Sequence, residues 1–157
     1  MVNWLLSHYI ELLGAITGVV FLYLEIRQNI WLWPFGILTS ALYIYIFFVT
    51  KFYADMGLQF YYLAISVYGW WYWLYGGQAN KIDSLPIVRI NLRLAIILFA
   101  ATAAMFVALA YILVQFTDSP VPYGDAFTTA LSITATWMLA RKILDMWWIW
   151  MLVNAVS

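Results

Sequence analysis

Nine side chains in this 157-residue sequence could do recognition chemistry inside otherwise apolar stretches: Thr39, Ser40, Gln59, Tyr62, Ser132, Thr136, Trp147, Trp150 and Asn154. None of them is a nucleophile beside a base, so no catalytic residue is assigned. What they offer is non-covalent. An amide brings two donors and an acceptor, and in hydrocarbon all of these need partners. Indole and phenol faces stack on a flat ring, and a cationic ring is attracted by about 0.5–2 kcal/mol. The combination fits a small, flat, polar-aromatic ligand, and a site built to hydrogen-bond its hydroxyl or carboxamide groups rejects analogues that lack them. The plainer reading of each Ser and Thr is a hydroxyl bonded across helices or back to its own preceding turn.

Spacing places these groups on helices. Thr39 and Ser40 lie roughly 10 Å in from one helix end by helical rise, with Asn154 about as deep in another helix. Ser132 and Thr136 share a face at four-residue spacing, in a segment that also carries Thr128, Thr129 and Thr134. Gln59 has Tyr62 and Leu63 one turn on. Trp147 and Trp150 stand three apart, and spacing leaves open which of them faces a ligand.

The elements that must hold these residues are membrane helices. The chain is 67% hydrophobic and 9% charged, against about 25% charged in soluble domains, and a chain this short cannot hide so much apolar surface. Its solvent is therefore a lipid bilayer. About 20 apolar residues cross a bilayer core. Segments at about 9–26, 33–50, 55–75, 92–116 and 123–140 qualify, and a sixth at 146–157 covers about two-thirds of the distance. Pro34 opens the second segment, Asp118, Ser119, Pro120 and Pro122 turn the chain before the fifth, and the stretch from Gly76 to Asn91 is expected to be a water-exposed loop. The residues Met1 to Ser7 lack the positive region of a cleavable signal, so the first segment is expected to stay.

Charge excludes several classes of function. Net charge is zero, which argues against a nucleic-acid partner. There is no cysteine and a single histidine, His8, so no metal site and no cofactor is expected, and a membrane enzyme lacks its machinery. Arg27, Lys81, Arg89, Arg93, Arg141 and Lys142 fall on one side and only Lys51 on the other, which puts the first side in the cytoplasm and the N-terminus outside. Trp31, Trp33, Trp71, Trp73, Trp147 and Trp148 gather at that interface as an aromatic belt. Glu11, Asp55 and Asp125 fall near outer helix ends, Glu25 and Asp145 near inner ones. With no ionisable group near the midplane, no coupling ion is expected, and Glu11 and Asp125 are either solvated helix ends or a lure for a cation at the outer mouth.

An internal repeat appears at an offset of 114 residues. Glu11 falls on Asp125, Arg27 on Arg141, Trp33 on Trp147, Leu38 on Leu152, Ser40 on Asn154 and Ala41 on Ala155. The first and fifth segments run the same way, so the repeat is parallel. Segments one to three form one unit, the fourth is an inverting linker, and the fifth and sixth begin a second unit. The SWEET sugar carriers are built from such parallel repeats, with substrate between the halves.

Specific motifs lie on this frame: Trp33-Pro34-Phe35-Gly36-Ile37, Tyr53-Ala54-Asp55, Leu58-Gln59, Tyr68-Gly69-Trp70-Trp71-Tyr72-Trp73, and Trp147-Trp148-Ile149-Trp150 followed by Asn154. In this order the chain resembles the PnuC family of bacterial vitamin transporters. The resemblance implies an all-α integral membrane bundle of three-plus-one-plus-three helices in a single membrane domain over residues 1–157, with the second repeat incomplete here. It implies uptake of nicotinamide riboside or a related B vitamin across a bacterial inner membrane, by facilitated diffusion made one-way by a cytoplasmic vitamin kinase, and a homotrimer. Two alternatives stand beside it: a thiamine transporter of the same family, and a non-transporting membrane assembly subunit.

Overall fold

The computed structural model describes residues 9–51, 53–76, 85–117 and 120–156. It contains six helices: α1 (Tyr9–Ile26), α2 (Leu32–Thr50), α3 (Tyr53–Tyr75), α4 (Leu92–Phe116), α5 (Pro122–Ala140) and α6 (Met146–Val156). Every boundary lies within two residues of the sequence expectation. Pro122 opens α5 at its first turn, where its missing N–H costs nothing. His8, residues 77–84 with Lys81 and Asp83, residues 118 and 119, and the side chain of Glu11 lie outside the described residues.

The chain forms two compact units, Met1–Ser84 and Leu85–Ser157, where the sequence reading has one domain. In the first, α2 packs between α1 and α3; in the second, α5 packs between α4 and α6. The α1–α2 seam has a constant antiparallel register. A Cβ on Gly14 would lie 3.3 Å from the Tyr43 ring, one on Gly18 4.0 Å from Thr39, and one on Gly36 2.9 Å from the Phe21 ring. The α2–α3 seam does the same: Gly36 meets the Ser66 hydroxyl, and a Cβ on Gly69 would lie 2.5 Å from Trp33 Cζ2. Small residues thus let the backbones approach, as membrane helices require.

Trp33 and Trp73 correct the belt assignment. They are 0% and 3% exposed and meet edge to face at 5.4 Å. Gly69 leaves the space into which the Trp33 ring fits. Trp31, Trp71 and Trp148 are exposed, as a belt requires.

Helices α2 and α4 are each long and apolar enough to cross a membrane. Along α4 the large side chains face outward, Phe99 at 78% exposure among them. A contiguous apolar face of this kind belongs against lipid or another membrane helix. Helix α5 carries more hydroxyls, and several are turned inward: Ser132, Thr134 and Thr136 are all buried.

The turns α1–α2 and α5–α6 repeat one another at the 114-residue offset. The N–H groups of Arg27, Gln28 and Asn29 donate to the carbonyls of Tyr23, Glu25 and Leu24, and those of Arg141, Lys142 and Ile143 to the carbonyls of Trp137, Leu139 and Met138. Gln28 and Lys142 are both left-handed, with φ of 50° and 53°, the geometry of a helix-terminating Schellman turn. Arg27 lies over the Tyr23 ring and Arg141 over the Trp137 ring, each at 5.7 Å.

The described second half of the loop from Gly76 to Asn91 is non-helical and mostly exposed, as expected. Residues 85–91 run beside the α5–α6 corner, where Val88 and Ile143 form an isolated parallel bridge.

Candidate functional site

The first unit holds four of the expected residues within about one helical turn in height. Extending the α2–α3 register from the Gly36–Ser66 and Trp33–Gly69 contacts puts Tyr62 level with Ser40 and Gln59 level with Tyr43. Ser40 is buried, Thr39, Gln59 and Tyr62 are half-buried, and the rings of Tyr61 and Tyr62 lie 5.9 Å apart. Thr17 of α1 falls at the same level through the α1–α2 register. Its hydroxyl bonds back to the Leu13 and Gly14 carbonyls at 2.9 and 3.0 Å, the plain membrane-helix role.

Thr39 differs. Its Oγ1 is buried with no hydrogen-bond partner among the described residues. A threonine on a helix usually reaches the carbonyl four residues back, as Thr50, Thr102, Thr128, Thr134 and Thr136 do here. An unmade hydrogen bond at a buried group costs about 1–3 kcal/mol, and a ligand hydroxyl or amide at this level would recover it.

In the second unit the hydroxyls of α5 are largely occupied. Thr136 donates to the Ser132 carbonyl at 2.7 Å, so two expected residues are joined by a back-bond. Thr134 meets the Thr102 hydroxyl of α4 at 2.6 Å, tying the linker helix to α5. Trp147 and Trp150 are half-buried, and the Trp150 Nε1 is buried without a partner among the described residues, a second unspent donor. Asn154 is exposed, whereas its repeat mate Ser40 is buried. The reason is packing: α2 has a neighbour on two sides, while α6 packs against α5.

Two further polar groups escaped sequence reasoning. Glu25 is 4% exposed, and its Oε1, like the Trp33 Nε1, is buried without a partner among the described residues. The α1–α2 register carries Glu25 to the level of Leu32, beside Trp33. Its place near a helix end pointed to solvent, and only the seam geometry shows otherwise. Asp145 accepts a hydrogen bond from the Ile90 N–H at 2.8 Å. Asp125 is half-buried in the first turn of α5.

The described residues hold no cluster of His, Cys, Asp or Glu able to bind a metal. An open groove of about 350 Å³ lies along α4 at Phe106, Ala110, Tyr111 and Gln115, with Tyr123 of α5. Its lining is apolar and includes none of the expected residues.

Comparisons with known proteins bear on what this arrangement serves. A family described as nicotinamide mononucleotide transporter matches residues 8–157. The chain is 26% identical over 172 residues to the nicotinamide riboside transporter PnuC of Escherichia coli, covering 95% of this chain and 72% of that protein. It is 29% identical over 153 residues to the riboflavin/roseoflavin transporter RibM of Streptomyces davaonensis, covering 94% and 69%. A crystal structure of the vitamin B3 transporter PnuC matches with a TM-score of 0.76 at 20% identity, over 95% of this chain and 65% of that one. That likeness shows the fold, and the chain spans about two-thirds of the solved chain's length.

Proposed function

The chain belongs to the nicotinamide mononucleotide transporter family, and on that premise we propose that it carries a B vitamin, nicotinamide riboside first, across a bacterial inner membrane. The observation that supports the reading is the unspent hydroxyl of Thr39, in the unit that also holds Ser40, Gln59 and Tyr62 within about one helical turn in height. An amide and two hydroxyls suit a ribosyl group or carboxamide, and an aromatic face suits a flat ring. In the second unit, Trp150 with its unspent N–H, together with Trp147, Ser132, Thr136 and Asn154, are the candidate contacts.

The transport step is facilitated diffusion, with phosphorylation by a cytoplasmic kinase holding the vitamin inside. The excess of Arg and Lys around Arg27, Arg141 and Lys142 supports a cytoplasmic face there and an N-terminus outside. A homotrimer follows from the family resemblance. Riboflavin is the second reading, favoured by the likeness to RibM, and thiamine is the third, as another aromatic cation.

Titration calorimetry with nicotinamide riboside, riboflavin and thiamine tests this. One of them is expected to bind saturably at about micromolar dissociation constant, near −8 kcal/mol. Binding of none, together with a stable complex with another membrane protein, would overturn the transporter reading in favour of an assembly subunit.

A further inference from the structure

We propose that Asp145 and Lys142 are positioning residues: they clamp the extended segment leading into α4 onto the α5–α6 corner, and so fix the direction in which α6 leaves that corner. Four hydrogen bonds form the clamp. The Val88 N–H donates to the Lys142 carbonyl and the Leu144 N–H to the Val88 carbonyl, both at 3.0 Å. The Asp145 carboxylate accepts from the Ile90 N–H at 2.8 Å, and the Lys142 ammonium donates to the Leu85 carbonyl at 3.3 Å. Two of the four are charge-assisted, the stronger class. They grip the segment at its two ends, with the backbone bridge between them.

The first corner shows that the clamp is an addition and not a property of the turn. Its backbone bonds are the same, yet the residues at the offset positions are Gln28 and Trp31. Gln28 spends its amide on the Glu25 carbonyl at 3.0 Å, within its own turn. The Trp31 N–H turns to the Asn29 side chain at 3.0 Å. That corner closes on itself, whereas the second is fastened to a segment more than fifty residues away. Helix α6 packs against α5 and starts directly at this corner, so a displacement of the corner is levered along the helix to Trp147, Trp150 and Asn154. The consequence for vitamin affinity rests on the transporter reading above; the clamp itself does not.

The full chain in lipid nanodiscs, labelled with 5-fluorotryptophan, separates the two. Asp145→Ala is expected to raise amide exchange at Ile90 and Leu144 about tenfold, to shift the Trp147 and Trp150 fluorine resonances, and to weaken nicotinamide riboside binding about tenfold. Asp145→Asn keeps an acceptor oxygen and should stay within about threefold of wild type in each measurement. Lys142→Met removes the longer bond and should raise exchange at Val88 by about threefold with the fold intact. Unchanged exchange in Asp145→Ala, or raised exchange with unmoved tryptophan resonances, overturns the clamp, as does an Asp145→Asn variant as impaired as Asp145→Ala. If wild type binds no vitamin while exchange and resonances change as stated, the transporter reading falls and the clamp stands.

Discussion

Leu32 to Ser40 and Met146 to Asn154 begin from corners with matching turn hydrogen bonds and a left-handed residue at the same offset, and then part company. In the first unit, Trp33 is sealed between Gly69 and Trp73 at 0% exposure. In the second, the tryptophan at the same offset, Trp147, is only half-buried. One backbone device therefore serves two ends. Where a helix is flanked on both sides, the corner's tryptophan becomes a packing wedge. At the second corner the tryptophan is half-buried, and the charged side chains of Lys142 and Asp145 hold the corner to the segment before α4.

The largest test of this contrast is the tryptophan pair itself. Trp33→Ala should cost about 3–5 kcal/mol of stability, the range for emptying a buried aromatic site. Trp147→Ala should cost less than half of that and show its effect in vitamin affinity instead; thermal unfolding in detergent, followed with ligand titration, reads both. Equal losses of stability would break the contrast. Next in size, Gly69→Ala should cost about 1–3 kcal/mol, because the new methyl must displace the Trp33 ring, and the same melting curve shows it. Gln59→Ala and Thr39→Val should each weaken nicotinamide riboside binding by about tenfold, with little change in melting temperature for Thr39→Val, whose hydroxyl has no partner among the described residues. Smallest are Arg27→Gln and Arg141→Gln. Each removes one cation–π contact and should cost about 0.5 kcal/mol; equal effects would sharpen the likeness of the corners.

Much of this was legible in the sequence, for reasons that can be named. Helix boundaries fell within two residues because apolar runs end at strong punctuation: Pro122, the polar run Arg27-Gln28-Asn29, and Asn91, whose side chain accepts from the Leu94 N–H at 2.8 Å as an N-cap. The likeness of the two corners was visible as the 114-residue spacing of Arg27 and Arg141 and of Trp33 and Trp147. The burial of Glu25, by contrast, depends on which way one turn of α1 faces, and a charged residue near a helix end reads as solvated until its neighbour is known. Asp145 and Ile90 are 55 residues apart, so no local pattern could announce their bond. Trp33 and Trp73 read as belt residues because their composition matches a belt, and only the cleft at Gly69 distinguishes a wedge from an anchor. Among the site candidates, helical spacing singled out Thr39, Gln59 and Tyr62 but could not tell the unspent Thr39 hydroxyl from the self-satisfied ones at Thr134 and Thr136.

The seam between α2 and α3 bears on how this protein can move. A helix ratchets past its neighbour by a whole turn, about 5.4 Å, when the side chains on the two surfaces are interchangeable. Here they are not. A one-turn slip would carry the Trp33 indole away from Gly69, the position without a side chain, and toward Ile65 or Trp73, both already buried. The pair is keyed like a lock with a single notch. In any rearrangement that keeps this seam, α2 and α3 travel as one body.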